Sequence, residues 1–241
     1  MIGTRRRAAL KVITVGHERY RIGPWRGADD VGYVAPLSSI TAYGVDRACA
    51  KLQTLGYDHV ITAALSVVEQ RHFIARGFQR REGLHLLRHD LSDIPDADIA
   101  PSISSRRGRK RDRTRVLEID GAAFEPFWRL DENGLEEAIN ATPASRFRVA
   151  TEDDAIVGYA VSGRTRNTGY LQRLAVDPAC QGAGIGTMLL ADCLRWSRRA
   201  RTSSVLVNTQ ERNEGAYRLY RNHGFEPLPD GLAVLERFAS S

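Results

Sequence analysis

The 241-residue chain has no apolar run approaching the ~18–20 residues that a membrane-crossing helix needs. Cysteine is scarce: Cys49, Cys180 and Cys193 are odd in number and none falls in a C-x-x-C spacing. That excludes a disulfide framework and a thiolate zinc site, and it fits reduced thiols. The six histidines are scattered, and His85 and His89, four apart, lie in a strand-like stretch. No metal is expected. Arg5-Arg6-Arg7 resembles the charged start of a secretory signal, but Lys11, His17, Glu18 and Arg19 interrupt the stretch where its apolar region would lie. A cytoplasmic, soluble globular protein is the expectation, and 42% hydrophobic residues over this length suffice for a sizeable core.

Net charge is also nearly absent outside one segment. The chain carries +6 in all. Residues 106–115 hold seven cations and one anion, which alone accounts for that excess. This basic strap sits in a stretch with Pro95, Pro101, several Ser and Asp, and no apolar periodicity. It reads as a solvated linker over 96–113 rather than a nucleic-acid contact, because no aromatics are interleaved with the charges.

From residue 114 on, the patterns are sharper. A β-like run covers Arg115–Ile119, and short helices are expected over Ala122–Trp128 and Asn133–Ala141. Strands come next over Ser145–Thr151, Ala155–Arg164 and Gly169–Val176, then a long amphipathic helix from Ile185 to Ala200. A strand over Val205–Thr209, a helix over Glu214–His223 and a strand over Ala233–Phe238 complete an α/β (α+β) domain with a mostly antiparallel sheet. Between the third strand and the long helix lies Gln181-Gly182-Ala183-Gly184-Ile185-Gly186-Thr187. Helix first-turn amides lack intrahelical partners and sit at the positive dipole end, and glycines let backbone wrap an anion. The turn is therefore a phosphate cradle. It lacks the Lys-Ser/Thr of a P-loop, and it comes after three antiparallel strands rather than opening a parallel βαβ unit.

Gln181–Gly186 fits the Q/R-x-x-G-x-G/A signature, and the chain there resembles the GNAT superfamily of acetyl-CoA-dependent N-acyltransferases. Asn213-Glu214-Gly215-Ala216-Tyr217-Arg218-Leu219-Tyr220 and the subsequent Gly224-Phe225 fit N-x-x-A-x-x-L-Y-x-x-x-G-F, a pattern similar to that of ribosomal-protein alanine N-acetyltransferases. The resemblance covers about 125 residues. It implies a GNAT fold over 114–241 with acetyl-CoA as co-substrate. The amides of Leu174, Ala175 and Val176 would take the thioester carbonyl and pantetheine arm. Gln181 and Gly182, Ala183, Gly184, Ile185, Gly186 and Thr187 would hold the pyrophosphate. Asn213 would bind the pantetheine arm, and Tyr220 would protonate the departing thiolate. The plainer alternatives are a packed aromatic for Tyr220 and a helix N-cap for Asn213.

The base departs from the pattern. Gln172 and Asn208 stand where relatives carry Glu. Glu118, Asp120, Glu125 and Glu211 are the remaining candidates. Without a strong base, an amine of low pKa is the easier acceptor: a lysine near 10.4 costs roughly 4.6 kcal/mol to free at pH 7, an α-amine near 8 only about 1.4. The acceptor could be a protein N-terminus, a lysine or a small molecule. Phe124, Phe127 and Trp128 have the spacing of core more than of pocket. A non-catalytic acetyl-CoA sensor is the competing reading.

The first half carries a worn copy. A shift of 147 residues lays Gly77-Phe78 on Gly224-Phe225 and Val60, Thr62 and Arg71 on Val207, Thr209 and Arg218. A helix over Thr41–Leu55 and a strand over His59–Ala64 fall in the same order. The copy has Val34–Ile40 without glycine in place of the cradle, Ser66 for Asn213 and Phe73 for Tyr220. Residues 1–95 thus read as a truncated, non-catalytic GNAT-like half, in a tandem layout similar to mycothiol synthase.

Overall fold

The computed structural model describes residues 10–26 and 28–238, so Arg5-Arg6-Arg7 lies outside them. The chain forms two compact units. One takes the chain up to His85, with Gln210–Arg212 and everything from Pro229 on; the other holds Leu86–Thr209 and Asn213–Leu228.

The first unit begins with strands β1 (Lys11–Val15), β2 (Glu18–Pro24) and β3 (Val31–Pro36), an antiparallel meander. Helix α1 (Ala42–Thr54) is capped by the Thr41 hydroxyl and buries Val45, Ala48, Cys49 and Leu52, an i, i+3, i+4, i+7 stripe. Strand β4 (His59–Thr62) pairs parallel with β3. Helix α2 (Val67–Ile74) opens with a capping box between Ser66 and Glu69. Strand β5 (Gln79–His89) comes after it. The worn copy is therefore fuller than expected, since the three strands before its cradle position are present.

In the second unit, β6 (Ile103–Arg107) leads into helices α3 (Arg113–Ala123) and α4 (Glu132–Asn140). Strands β7 (Ala144–Glu152), β8 (Ala155–Arg164) and β9 (Thr168–Val176) form an antiparallel meander with β6 on its outer edge. Helix α5 (Ile185–Arg199), strand β10 (Ser204–Gln210), helix α6 (Glu214–Asn222) and the short β11 (Glu226–Pro227) complete it. The sheet is covered on both faces. Val116, Ile119 and Leu135 of α3 and α4 pack against Val149, Tyr159 and Val161 on one face. Leu189, Leu190, Cys193 and Leu194 of α5, with Tyr220 and Phe225, pack on the other. Burial pushes the thiols of Cys49 and Cys193 up to about 11 and about 12, as inert core groups.

Three expectations are corrected. Arg115–Ile119 is helical: Val116, Ile119 and Asp120 are buried, which is a helical and not an alternating pattern. The opening strand lies instead at Ile103–Arg107, inside the stretch expected to be linker. Its only buried side chain is Ile103, so its pairing with β7 supplies what apolar periodicity does not. Finally, strand β12 (Leu232–Phe238) does not close the second half. It pairs antiparallel with β4 and with β5, in the first unit.

Candidate acyl-donor site

The site begins where two neighbouring strands part. Strand β10 pairs parallel with β9 only from Ser204↔Thr168 to Leu206↔Tyr170. Beyond Tyr170, β9 keeps its partner β8 on one edge and, among the described residues, has no ladder partner on the other. The register says which groups face the open edge. The Asp177 amide donates to the Val157 carbonyl at 2.8 Å. Alternation then turns Ala175 and Arg173 toward β8, and Leu174 and Val176 toward the opening. Of the three amides expected there, Ala175 is thus corrected: it belongs to the β8 ladder. Gln181, expected at the pyrophosphate, donates its Nε2 to the Val176 carbonyl at 3.3 Å.

The turn after β9 is fixed locally. Asp177 accepts from the Ala179 amide at 3.1 Å and pairs with Arg115 at 2.5 Å. Gly182 and Gly184 have φ of +85° and +76°, where a side chain is strained. Gly184 is the N-cap of α5 and offers no side-chain cap, and the first bond of the helix runs from the Met188 amide to its carbonyl. The amides of Ile185, Gly186 and Thr187 thus have no helical acceptor. A β-carbon at Gly182 would meet nothing within 4 Å, whereas one at Gly184 would lie 2.6 Å from the Asp98 carbonyl. Ala183 is exposed between them, and the Ile185 side chain is core, which leaves only its amide open. The Thr187 hydroxyl lies 3.3 Å from Nε2 of His223, whose Nδ1 is 2.7 Å from the Leu219 carbonyl. That contact makes Nδ1 the donor in the neutral ring and leaves Nε2 to accept from Thr187. These open amides, left-handed glycines and helix start fit an extended diphosphate ligand.

Asn213 caps α6, accepting from the Ala216 amide at 3.0 Å. Tyr220, one turn before the helix ends, is 6% exposed and packs on Phe225 with ring centroids 5.6 Å apart. Burial drives its hydroxyl pKa well above the usual range, with Cys193 adding to the rise and Arg173 opposing it. The hydroxyl therefore holds its proton until a strong base appears beside it. In the first unit, Phe73 packs on Phe78 at 5.1 Å in the matching place, without a hydroxyl.

Among the candidate bases, Asp120 is fully buried and engaged on both oxygens. Arg173 grips it at 2.7 and 2.9 Å, the Tyr159 hydroxyl donates at 2.5 Å and the Leu130 amide at 2.7 Å. Arg173 also donates to the Trp128 carbonyl at 2.7 Å and lies 3.5 Å over the Phe124 ring. This network, unseen in the sequence, ties the α3–α4 connection to β9. Asp120 is not a base. Glu118 is exposed and paired with Arg115, Glu125 is exposed, and Glu211 pairs with Arg80 in the first unit. Trp128 is buried and Phe127 meets it edge-on at 4.9 Å. Asn208 is exposed. Gln172 is the extra residue of a bulge in β9, skipped between the Val161↔Arg173 and Ser162↔Leu171 pairs. Its Oε1 is buried without a hydrogen-bond partner, while Nε2 lies 3.5 Å from the Thr142 hydroxyl. Among the described residues, no cluster of three His, Cys, Asp or Glu could hold a metal, and no helix is long and apolar enough to cross a membrane.

Residues 113–225 match the model of the acetyltransferase (GNAT) family. A mycothiol acetyltransferase of Mycolicibacterium gilvum is 28% identical over 181 residues, 66% of this chain and 59% of that one. An N-alpha-acetyltransferase RimI of Mycobacterium tuberculosis is 38% identical over 90 residues, 36% of this chain and 55% of that one. The chain spans little more than half the length of the curated relatives it matches. Among solved structures, a tandem GNAT protein from the clavulanic acid biosynthesis pathway aligns over 95% of this chain and 82% of its own, with a TM-score of 0.70 at 15% identity. The fold is that of the tandem GNAT proteins.

Proposed function

Residues 113–225 are a GNAT-family domain, and from that premise we propose that the chain transfers the acetyl group of acetyl-CoA to a primary amine of low pKa in the cytoplasm. The observation that carries the reading is the parting of β9 from β10 directly before an uncapped, glycine-led helix, with the Tyr220 hydroxyl protonated nearby. Acetyl-CoA supplies the acyl group as a thioester. The open-edge amides of Leu174 and Val176 bind its carbonyl and pantetheine arm, and the backbone from Gly182 to Thr187 binds the pyrophosphate. The amine nitrogen forms its bond to the acyl carbon as the carbon–sulfur bond breaks. Tyr220 gives the sulfur a proton, and the proton lost by nitrogen restores the balance through solvent. Gln172 Oε1 accepts a hydrogen bond from the amine and orients it, but cannot take its proton. The acceptor therefore reacts from the fraction that is already unprotonated, about a tenth of an α-amine near pKa 8 at pH 7 and far less of a lysine side chain, which favours the α-amine. A relative named for α-amino acetylation supports the same choice.

Thioester cleavage measured against a panel of amines tests this. Turnover with α-amines that falls about 10²-fold in Tyr220→Phe is expected. Turnover unchanged by that substitution would remove the acid role, and a strong preference for lysine ε-amines would remove the low-pKa acceptor. The absence of a carboxylate base favours one other reading, an acetyl-CoA sensor. Tight acetyl-CoA binding without cleavage by any amine would select it.

A further inference from the structure

The basic strap is not absorbed by the acyl-donor site, and it does not lie loose. At Gly108 the chain leaves β6: its amide donates to the Phe147 carbonyl at 2.9 Å, and a β-carbon there would run into the Phe147 ring. The next turn is built around Asp112, which is 4% exposed. Asp112 takes two bonds from Arg106, at 2.7 and 3.0 Å, and one from the Arg109 amide at 2.7 Å. Because β6 ends there, the edge of β7 ahead of Phe147 has no ladder neighbour among the described residues, and a cavity of about 360 Å³ opens beside it.

Six cations line this cavity: Arg107, Arg109, Lys110 and Arg113 from the strap, and Arg146 and Arg148 from β7. No carboxylate does. Arg146 and Arg148 share Asp192, and Arg113 pairs with Glu136. Lys110 acts on the same Glu136 without a close ion pair, and Arg107 and Arg109 form no ion pair with a carboxylate among the described residues. Six cations therefore face two carboxylates. Burial lowers the pKa of Arg148, while Asp192 raises it and outweighs the opposing charge of Arg146. The rest of the wall is Gly108, Ser145 and three apolar side chains. Trp196 of α5 stands beside Ile139 and Phe147, and the Arg164 guanidinium lies 5.4 Å from its ring centroid.

We propose that this cavity is a second ligand site, for a small phosphate ester bearing a heteroaromatic ring, a ligand of the mononucleotide class. The guanidinium groups of Arg107 and Arg109, with the Lys110 ammonium, take the phosphate. The indole takes the ring by stacking, as aromatics take bases elsewhere. The volume lies within the range of small-ligand pockets. It is not the acyl-donor site, because Trp196 is twelve residues beyond Gly184 on α5, about 18 Å at the helical rise.

The test is calorimetric titration of the full chain, saturated with coenzyme A to block the donor cradle, with adenosine 5′-monophosphate. One-to-one binding is expected, weakened at least about tenfold for adenosine and weakened by added salt. The double variant Arg109→Gln/Lys110→Gln, at exposed positions, should bind about tenfold more weakly with its melting temperature and its basal turnover unchanged. Trp196→Leu should lose affinity for the nucleotide but not for inorganic pyrophosphate. Nucleotide binding abolished by coenzyme A would assign all binding to the donor cradle and overturn the proposal. So would binding unaffected by the double variant. A single-stranded RNA oligonucleotide that binds far more tightly than the nucleotide would replace the small molecule with nucleic acid.

Discussion

Arg173 and Asp120 meet as a two-pronged ion pair inside the GNAT domain, 11% and 0% exposed, and the residue after Arg173 is Leu174, whose amide faces the opening between β9 and β10. The pair therefore holds the strand edge that would bind the donor against the α3–α4 connection. Its removal should act on stability first. Asp120→Asn leaves a guanidinium without its counter-charge in the core and should cost about 3–5 kcal/mol in denaturant unfolding. Arg173→Lys should also destabilise, because an ammonium cannot make the fork. A loss below about 1 kcal/mol for Asp120→Asn would show that the pair is not the tie described.

The two left-handed glycines of the turn should respond differently to alanine. Gly182→Ala meets only the strain of its positive φ, about 1 kcal/mol. Gly184→Ala adds a clash with the Asp98 carbonyl and should lower the melting temperature more and raise KM for acetyl-CoA more. Equal effects at both positions would contradict the close approach of Asp98.

Gln172 occupies a bulge with a buried, unpartnered oxygen. Gln172→Glu places a carboxylate where only an amide stands. Turnover of a lysine-type amine at pH 7 should rise by about tenfold or more, while that of an α-amine should change less, because about a tenth of the latter is already free of its proton, against less than about a thousandth of the former. If both amines respond alike, Gln172 does not face the nucleophile.

His89 is buried, accepts from the Leu91 amide at 2.8 Å through Nδ1, and is held below the ordinary histidine pKa chiefly by burial. The folded state therefore binds its proton less readily than the unfolded chain. The contribution is intact above the unfolded pKa of about 6.5 and is lost as pH falls below it. Melting temperature should fall between pH 7 and pH 5, and His89→Gln, which can still accept from Leu91, should flatten that slope. A slope identical in the variant would assign the acid sensitivity elsewhere.

The turn and helix start proposed to cradle the donor were legible in the sequence because their determinants are local. Gly182 and Gly184 mark left-handed backbone, Asn213 marks a helix start, and the apolar stripe of α5 carries its own period. What escaped depends on partners far along the chain. Strand β6 is Ser and Arg over four of its five residues, and only β7 makes it a strand. The run Arg115–Ile119 is too short to distinguish strand from helix until Asp120 is seen to be buried with it. Ala175 was expected at the ligand because the motif contains it, and its place in the β8 ladder turns its amide away from the opening. The Asp120–Arg173 pair spans 53 residues and leaves no periodic trace.

The placement of β12 has a consequence for biosynthesis. Strands β4 and β5 both take β12 as a ladder partner, so the first unit emerges from the ribosome long before the strand that completes it. Synthesis at 5–20 residues per second leaves those two strands without it for roughly 7–30 s. The GNAT domain lies between and can close first. The nascent first unit is thus the stretch most exposed to aggregation along bare strand edges, and to rescue by chaperones that recognise them.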